Sequence, residues 1–578
     1  MASRTRTSAG AVAGGVLLSQ AAGRWVLAAV VMGSGMTFLD STVVNVALPT
    51  LGADLHASLA ALQWTVNGYT LTLAALILLG GSLGDRFGRR KVFVVGTVWF
   101  AVASLLCGLA PNPELLIAAR ALQGAGGALL TPGSLALIQA SFAKQDRPRA
   151  IGVWSGLGGV AGALGPLLGG WLVDAVSWRW VFFINVPLAA AVVAISLTRV
   201  PESRDETATG GFDWQGALLA ASGLAGITYA LIGAAEPGAD PVAIALTAAI
   251  GVTALVCFAV VEHRSRHPML PPGIFAERQF TAANAVTFAV YAALGGVFFF
   301  LVVDLQIQAR FSALAAGSAL LPVTVIMLVL SERSGRLAQR IGPRIQMTVG
   351  PAICAGGLLL LTRISASTDY LTDVLPGVCL FGLGLATTVA PLTATVLGSV
   401  EARHAGIASG VNNAVARAAS LIAVAALPLV VGLSGRQYHN PQAFGRAFDS
   451  ALLVSAGLLV AGAVLAWCTI RSDVLREEVP SAAPPPNHHC AIGAPPMQPP
   501  GTGTCSVPPP PARPESGRPG SGRGAERSWA GCGTPGGQGV PHPGSGAGVS
   551  RWGRSTSGWR RPCRSRSAAG WRWPRCCR

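Results

Sequence analysis

The first group in this 578-residue chain able to do chemistry is an aspartate inside an apolar run. Asp40 stands in Phe38-Leu39-Asp40-Ser41-Thr42-Val43-Val44-Asn45-Val46-Ala47-Leu48-Pro49, the far end of a segment that begins at Trp25. At a helical rise of about 1.5 Å per residue it lies roughly 22 Å along a span and roughly 13 Å short of Pro49. A carboxylate at that depth is costly, and such groups face a bundle interior or a water-filled cavity. Arg120, in Arg120-Ala-Leu-Gln123-Gly124, sits in a later span that runs the other way. It lies roughly 9 Å below the same surface. Opposite charges at similar depth are natural partners. The arginine favours the charged carboxylate and desolvation opposes it. Cargo or conformation could tip that balance, as a proton carrier requires; a static ion pair between two spans is the plainer alternative.

Other polar residues at membrane depth are less telling. Gln63, Trp64, Asn67 and Tyr69 have the types that line a cavity for amphipathic ligands, though packing explains each nearly as well. Asp304 near Arg310 reads as an interfacial ion pair. Arg417, after Asn412 and Asn413, is near mid-depth with no deep acidic partner in its own half.

The elements that hold these residues are membrane helices. The chain is 51% hydrophobic and 12% charged, with mean hydropathy +0.52, about half the charge of a soluble domain. Fourteen apolar spans are expected at 25–49, 63–83, 91–110, 115–142, 149–174, 180–199, 214–234, 241–261, 280–303, 313–331, 345–363, 371–398, 405–433 and 448–470. The N-terminal arm and the loops after even-numbered spans hold 20 Lys/Arg. The opposite loops hold five: Arg179, Arg310, Arg363, Arg436 and Arg446. The positive-inside rule therefore places both termini in the cytoplasm. Trp178 and Trp180 then fall at the outer interface and Trp214 at the inner one.

Two loops repeat. Gly81-Ser-Leu83-Gly-Asp85-Arg86-Phe-Gly88-Arg89-Arg90 and Gly335-Arg-Leu337-Ala-Gln339-Arg340-Ile-Gly342-Pro343-Arg344 match at an offset of 254 residues. Parallel repeats of this kind build transporters from two halves. The organisation expected is an N-terminal arm (1–24), a six-helix bundle (25–200), two inserted helices with flanking loops (201–279), a second six-helix bundle (280–471) and a disordered Pro/Gly/Arg-rich tail (472–578). In the loop, Gly81, Asp85, Arg86, Gly88 and Arg89 form either a gating latch, with Asp85 and Arg86 pairing with the other half, or a basic loop that only sets topology. In span 5, Gly158, Gly162, Gly165 and Gly169 make one stripe, with Pro166 and Gly170 beside it. The stripe is expected to pack closely against a helix of the other half.

The net charge of +17 is not a nucleic-acid signal. Residues 501–578 hold 13 Arg against two Glu and contain no Leu, Ile, Phe, Met, Lys, Asn, Asp or Tyr. That composition packs no core and is what an out-of-frame GC-rich extension from about 501 would encode; an Arg/Trp-rich arm binding anionic lipid or nucleic acid is the rival. The N-terminal arm, with Arg4 and Arg6, reads as a short disordered segment. There is no G-x-x-x-x-G-K-[ST], H-E-x-x-H, G-x-S-x-G or T-V-G-Y-G, so ATP as power source, intramembrane catalysis and a potassium-type filter find no support. The cysteines form no metal-type spacing, and no metal or other cofactor is expected.

The series Asp40–Pro49, Gly81–Lys91, Arg120 with Gln123-Gly124, Gly162-Ala-Leu-Gly165-Pro166-Leu-Leu-Gly169-Gly170 and Trp178–Pro187 resembles the successive motifs of one family. Leu305-Gln306, Ala316-Gly317, Pro391-Leu392-Thr393 and Ala408-Ser409-Gly410-Val-Asn412-Asn413 continue the likeness, from about Trp25 to Arg471. The family is the fourteen-helix drug:proton antiporters of the major facilitator superfamily (EmrB/QacA-like). The resemblance implies two six-helix bundles plus two extra helices, with Asp40 and Arg120 at positions of proton coupling. Gly165-Pro166 falls in the antiporter signature. Asp304 and Arg310 depart from the pattern, which often has an aromatic residue and Gly there. The expectation is an all-α, multi-pass plasma-membrane transporter that exchanges protons for small amphipathic drugs by alternating access, powered by the proton gradient without ATP. Candidate cavity residues are Asn45, Trp64, Asn67, Gln123, Gln306, Asn412 and Asn413. A proton-coupled nutrient importer and a non-transporting receptor or scaffold are the alternatives; cargo and oligomeric state stay open.

Overall fold

The computed structural model describes residues 15–204, 213–265, 268–401, 405–435 and 440–475, all within one compact unit, Met1–Pro486. The expectations for residues 1–14 and for the tail beyond 475 lie outside the described residues. Among the described residues, fourteen helices are long and apolar enough to cross a membrane. Spans 1 to 7 are Ala21–Asp54, Leu59–Phe87, Arg89–Leu109, Pro113–Ser141, Arg149–Ala175, Trp180–Arg199 and Trp214–Gly233. Spans 8 to 14 are Pro241–Arg264, Arg278–Ile307, Ala313–Ile341, Pro343–Leu361, Tyr370–Gly398, Gly406–Val430 and Pro441–Thr469.

Local chemistry sets many boundaries. Ser58, Asn112, Asp213, Asp240 and Asn440 accept backbone N–H groups of the first turns of spans 2, 4, 7, 8 and 14, satisfying donors that a helix start leaves free. Pro113, Pro241 and Pro441 follow their caps directly, where the missing N–H costs nothing. Two spans are interrupted. Span 6 has a first turn at Trp180–Phe183 and resumes at Asn185, where Pro187 has no N–H for the Phe183 carbonyl. Span 10 has a first segment at Ala313–Ser318 and continues from Leu321.

The outside is apolar. Val95, Val98, Val102, Leu105, Leu106 and Leu109 of span 3 are all exposed, as are Val242, Leu246, Ile250, Val252, Val256 and Val260 of span 8. Bands of that size suit hydrocarbon, not water. Spans 7 and 8 pack on each other, with the Gly226 and Gly251 backbones in close approach. The start of the chain differs from expectation. Residues 15–20 are not a loose arm but dock beside the end of span 4: Val16 N donates to Ser141 O (2.8 Å) and Leu18 N to Asp146 (2.8 Å). Trp178, at the end of the helices, does not face outward. It is buried, and its indole donates to Asp54 at the end of span 1 (2.8 Å); Trp180 and Trp214 are exposed.

The two repeated loops are built alike. Gly88 and Gly342 both have positive φ, 111° and 87°, where a side chain is strained. A Cβ on Gly88 would lie 2.8 Å from Glu202 Oε1, just after span 6, and one on Gly342 would strike the Ser472 carbonyl, just after span 14. Each loop thus grips the segment that follows the last span of its own half, and the repeat is one of structure as well as sequence.

Candidate functional site

Asp40 and Arg120 meet. Arg120 Nη1 lies 2.6 Å from Asp40 Oδ2, with 0% and 1% of the residues exposed. Arg120 also donates to Gln123 Oε1 (2.6 Å) and, through Nε, to the Thr65 carbonyl (3.0 Å). Its guanidinium sits over the Tyr69 ring at 4.3 Å. On the other carboxylate oxygen, Oδ1, Gln123 Nε2 (2.8 Å) and Asn185 Nδ2 (3.2 Å) both donate. Both amides also reach Ser104 Oγ (3.1 and 3.0 Å), and Ser104 in turn donates to the Phe182 carbonyl (3.0 Å). Five spans of the first half therefore converge on one carboxylate. Charge-assisted bonds in a dry interior are strong, and losing one member strands the others. Asn185 Oδ1 and the Tyr69 hydroxyl are buried without a partner.

Tyr69 thus covers Arg120 instead of lining a cavity. Sequence reasoning assigned no role to Ser104 or Asn185. A serine on an apolar helix carries no signal. Asn185, about five residues into span 6 and so roughly 8 Å deep, matched Arg120 in depth and was findable by the same arithmetic.

Two cavities lie between the halves. The larger, about 730 Å³, is at the end carrying the Gly81–Lys91 loop, between Gly81, Asp85 and Arg86 of the first half and Ile407, Gly410 and Asn413 of the second. The second, about 380 Å³, is lined by Asn45, Asn67, Tyr291, Phe298, Met327 and Arg417 among others. Of the candidate cavity residues, Asn45 and Asn67 belong to it and Asn413 to the larger one. The other four are placed elsewhere. Gln123 is sealed in the Asp40 network. Trp64 packs on Tyr229 of span 7 at 6.3 Å between ring centroids. Asn412 donates to Asn284 (3.3 Å) and Thr287 (2.9 Å) of span 9. Gln306 donates to the Val46 carbonyl of span 1 (3.1 Å), tying the halves together. Gln63 does likewise with the Val424 carbonyl (2.7 Å).

For Asp85 the partner is local, not in the other half. Asp85 pairs with Arg89 of its own loop (2.7 Å), and Arg90 holds Glu202 (3.6 Å) and the Val200 carbonyl (3.0 Å). These contacts stay within the first half because the larger cavity opens between the halves at that end. At the opposite end the halves are tied together. Asp174 of span 5 accepts the Ala313 and Leu314 N–H groups at the start of span 10 (3.2 and 2.8 Å). There a Cβ on Gly170 would lie 2.5 Å from the Ala313 carbonyl, and one on Gly317 would strike that of Pro166. The glycine stripe itself faces span 1, not the other half: Gly158 and Gly162 lie on Phe38, Gly165 on Thr42 and Gly169 on Val43. Thr42 Oγ1 donates to the Gly162 carbonyl (2.9 Å). The flanking Pro166 and Gly170 pack directly against the second half. Asp304 does not pair with Arg310. It is fully buried with both carboxylate oxygens unpartnered, while the chain turns at Arg310 (φ 58°) and leaves that side chain exposed.

One consequence concerns the loop. Gly88→Ala should lower the stability of the purified protein by about 1–3 kcal/mol, because φ 111° is a strained conformation for alanine. Thermal unfolding measures it, and Gly84→Ala, with open space at its Cβ, is the comparison. Equal midpoints for the two variants would contradict the gripping role of the loop.

Fourteen apolar helices in two similar halves, with cavities between them and a charge pair sealed in one half, are the architecture of a membrane transporter. The family model described as Major Facilitator Superfamily matches residues 30–424. The chain belongs to the major facilitator superfamily. It is 36% identical over 461 residues to the puromycin resistance protein of Streptomyces alboniger, covering 78% of this chain and 91% of that one. It is 35% identical over 405 residues to the tetracenomycin C resistance and export protein of Streptomyces glaucescens, covering 70% and 75%. The methylenomycin A resistance protein of Bacillus subtilis is 35% identical over 450 residues, covering 76% and 93%. Among solved structures, a bacterial homologue of the human lysosomal transporter Spinster, inward-facing and unoccupied, has TM-score 0.56 at 17% identity, covering 79% of this chain and 98% of that one. A peptide transporter has TM-score 0.56 at 14% identity, covering 78% and 95%. At those identities the likeness is one of fold.

Proposed function

We propose that the protein is a proton-coupled antiporter that exports small amphipathic compounds, antibiotics among them, across the plasma membrane by alternating access, with both termini cytoplasmic. The observation that carries this is the sealed Asp40–Arg120 pair beside cavities that lie between two halves. The export direction rests on relatives named for antibiotic resistance and export. With the basic loops inside, this conformation is open to the cytoplasm and closed outside, through Asp174, Gly170 and Gly317.

The cycle follows from the network. Protonation of Asp40 removes the charge opposite Arg120, and the neutral acid needs an acceptor for its O–H. Rotation of the Asn185 amide would offer its unpartnered Oδ1 in place of Nδ2. The ties among spans 1, 4 and 6 are thereby exchanged, which biases the rocking of the halves; deprotonation restores them. The chain needs no nucleotide, since the proton gradient supplies the driving force.

The experiment is proton-driven efflux measured with inverted membrane vesicles, in which an amphipathic dye is followed together with internal pH. Dye accumulation that collapses the imposed gradient is expected. Accumulation of the dye by energised whole cells would instead identify an importer, and ligand addition without any change in internal pH would identify a receptor or scaffold.

A further inference from the structure

The cavity between the halves contains a cation without a counter-ion. Arg417 of span 13 lines the 380 Å³ cavity, yet makes no hydrogen bond or ion pair among the described residues. No Asp or Glu lines the cavity with it. Asp40, the deep acid of the first half, is spent on Arg120, Gln123 and Asn185 and fully sealed from the cavity. Asn67 points to a ligand independently. It is 1% exposed, it lines the same cavity, and neither its Oδ1 nor its Nδ2 has a partner. Asn45 Oδ1, nearby in the lining, is unpartnered as well. Buried amides are almost always satisfied, so these three residues form a polar half-shell that lacks its other half. The remaining wall is mainly apolar and aromatic, with Phe298, Tyr291 and Met327, and also carries Ser41, Thr42, Thr70, Thr324 and Ser420.

From this we infer that the cargo is an amphipathic monoanion: an apolar, ring-bearing body carrying one carboxylate, sulfonate or acidic enolate. The acid group sits on Arg417, which supplies fixed parallel donors for a planar anion. Asn67 and Asn45 bond to the polar edge of the body, and the rings lie on Phe298 and Tyr291. Water can hydrate Arg417 while the halves are apart. When they close over the cavity the water leaves, and a bare guanidinium at membrane depth is costly. The anion removes that cost, so closure is favoured with cargo bound and opposed without it. A lipophilic cation would place like charge against Arg417 and is disfavoured in the same site. This deepens the export reading and rests on it for direction. It also fixes the sign of the charge movement: each proton entering and each monoanion leaving carries one positive charge inward, so an inside-negative potential drives export as well as the pH gradient does.

The test uses three probes with one fluorophore: dansylglycine (anion), dansylglycinamide (neutral) and dansylcadaverine (cation). Equilibrium fluorescence titrations are made on the purified full chain in lipid nanodiscs. Wild type should bind dansylglycine at least about tenfold more tightly than its amide, with the cation weakest, a ratio in the range set by a charge-assisted hydrogen bond. Arg417→Gln should remove the preference, and Arg417→Lys should keep most of it. Equal binding of acid and amide by wild type, tighter binding of the cation, no binding of the acid, or a preference that survives Arg417→Gln would each overturn the assignment. Proton exchange is scored separately in proteoliposomes. A protein that prefers the anion but moves no protons leaves the cavity assignment standing and removes the antiport reading instead.

Discussion

Asp40→Asn should abolish coupled exchange while leaving a protein that still inserts and folds. The substitution preserves size but removes the negative charge that pairs with Arg120, the only one in contact with it among the described residues. It also places an amide where two other amides, those of Gln123 and Asn185, already donate. Breaking a buried pair from one side costs about 3–5 kcal/mol, so the single variant should unfold at a lower temperature. Its inactivity could then be blamed on instability. Asp40→Asn/Arg120→Gln separates the two effects, because it removes the stranded guanidinium as well. The double variant should recover most of the lost stability and none of the exchange, with proton-driven efflux abolished in both, as expected where an intramembrane acid is the proton relay. Internal pH and dye movement in proteoliposomes, read beside thermal unfolding, make the measurement. A double variant that exchanges protons at the wild-type rate would reduce the pair to a static tie.

How far the sequence revealed this site depended on the kind of signal. Asp40 and Arg120 were conspicuous because charge inside hydrocarbon is rare, and helical rise turns residue number into depth. That arithmetic needs nothing tertiary, and it gave the correct pair. Fourteen spans and the repeated loops were legible for a similar reason: hydropathy and turn glycines act locally. What the sequence did not carry was direction around a helix axis. The stripe Gly158–Gly169 announces a close contact, but period alone cannot say that the partner is span 1. Gly170, one residue off the stripe, meets the other half instead. Trp64 and Asn67 are three residues apart on span 2, yet one packs on Tyr229 and the other lines the cavity. The inserted span 7 stands against span 2 and takes the tryptophan. Asp304 failed differently. Its nearness to Arg310 in sequence suggested a pair, but the backbone reverses at Arg310 and carries the two side chains apart.

The contact that closes the end opposite the repeated loops can be tested without touching any charged residue. Gly317→Leu should cost most of the transport activity although Gly317 lies in neither the Asp40–Arg120 network nor the cavity lined by Arg417. Its missing side chain lets span 10 rest against the Pro166 carbonyl of span 5, and Asp174 then reaches the first N–H groups of span 10. A leucine there must push the spans apart. Overpacking of this kind costs about 1–3 kcal/mol, here charged to the closed conformation alone. At about 1.4 kcal/mol per factor of ten, the closed-to-open ratio should fall roughly fivefold to a hundredfold. Spin labels at the exposed Val176 and Leu371, near the ends of spans 5 and 12 on that side, should report a longer distance population that wild type lacks. Gly457→Leu, at an exposed glycine with open space at its Cβ, should change neither distance nor rate. A Gly317→Leu protein with wild-type distances and exchange would mean that the halves separate elsewhere during the cycle. If instead transport falls while the Asp40–Arg120 pair is intact, closure at Gly317 and proton release at Asp40 are steps of one motion. The alternating-access reading requires that coupling.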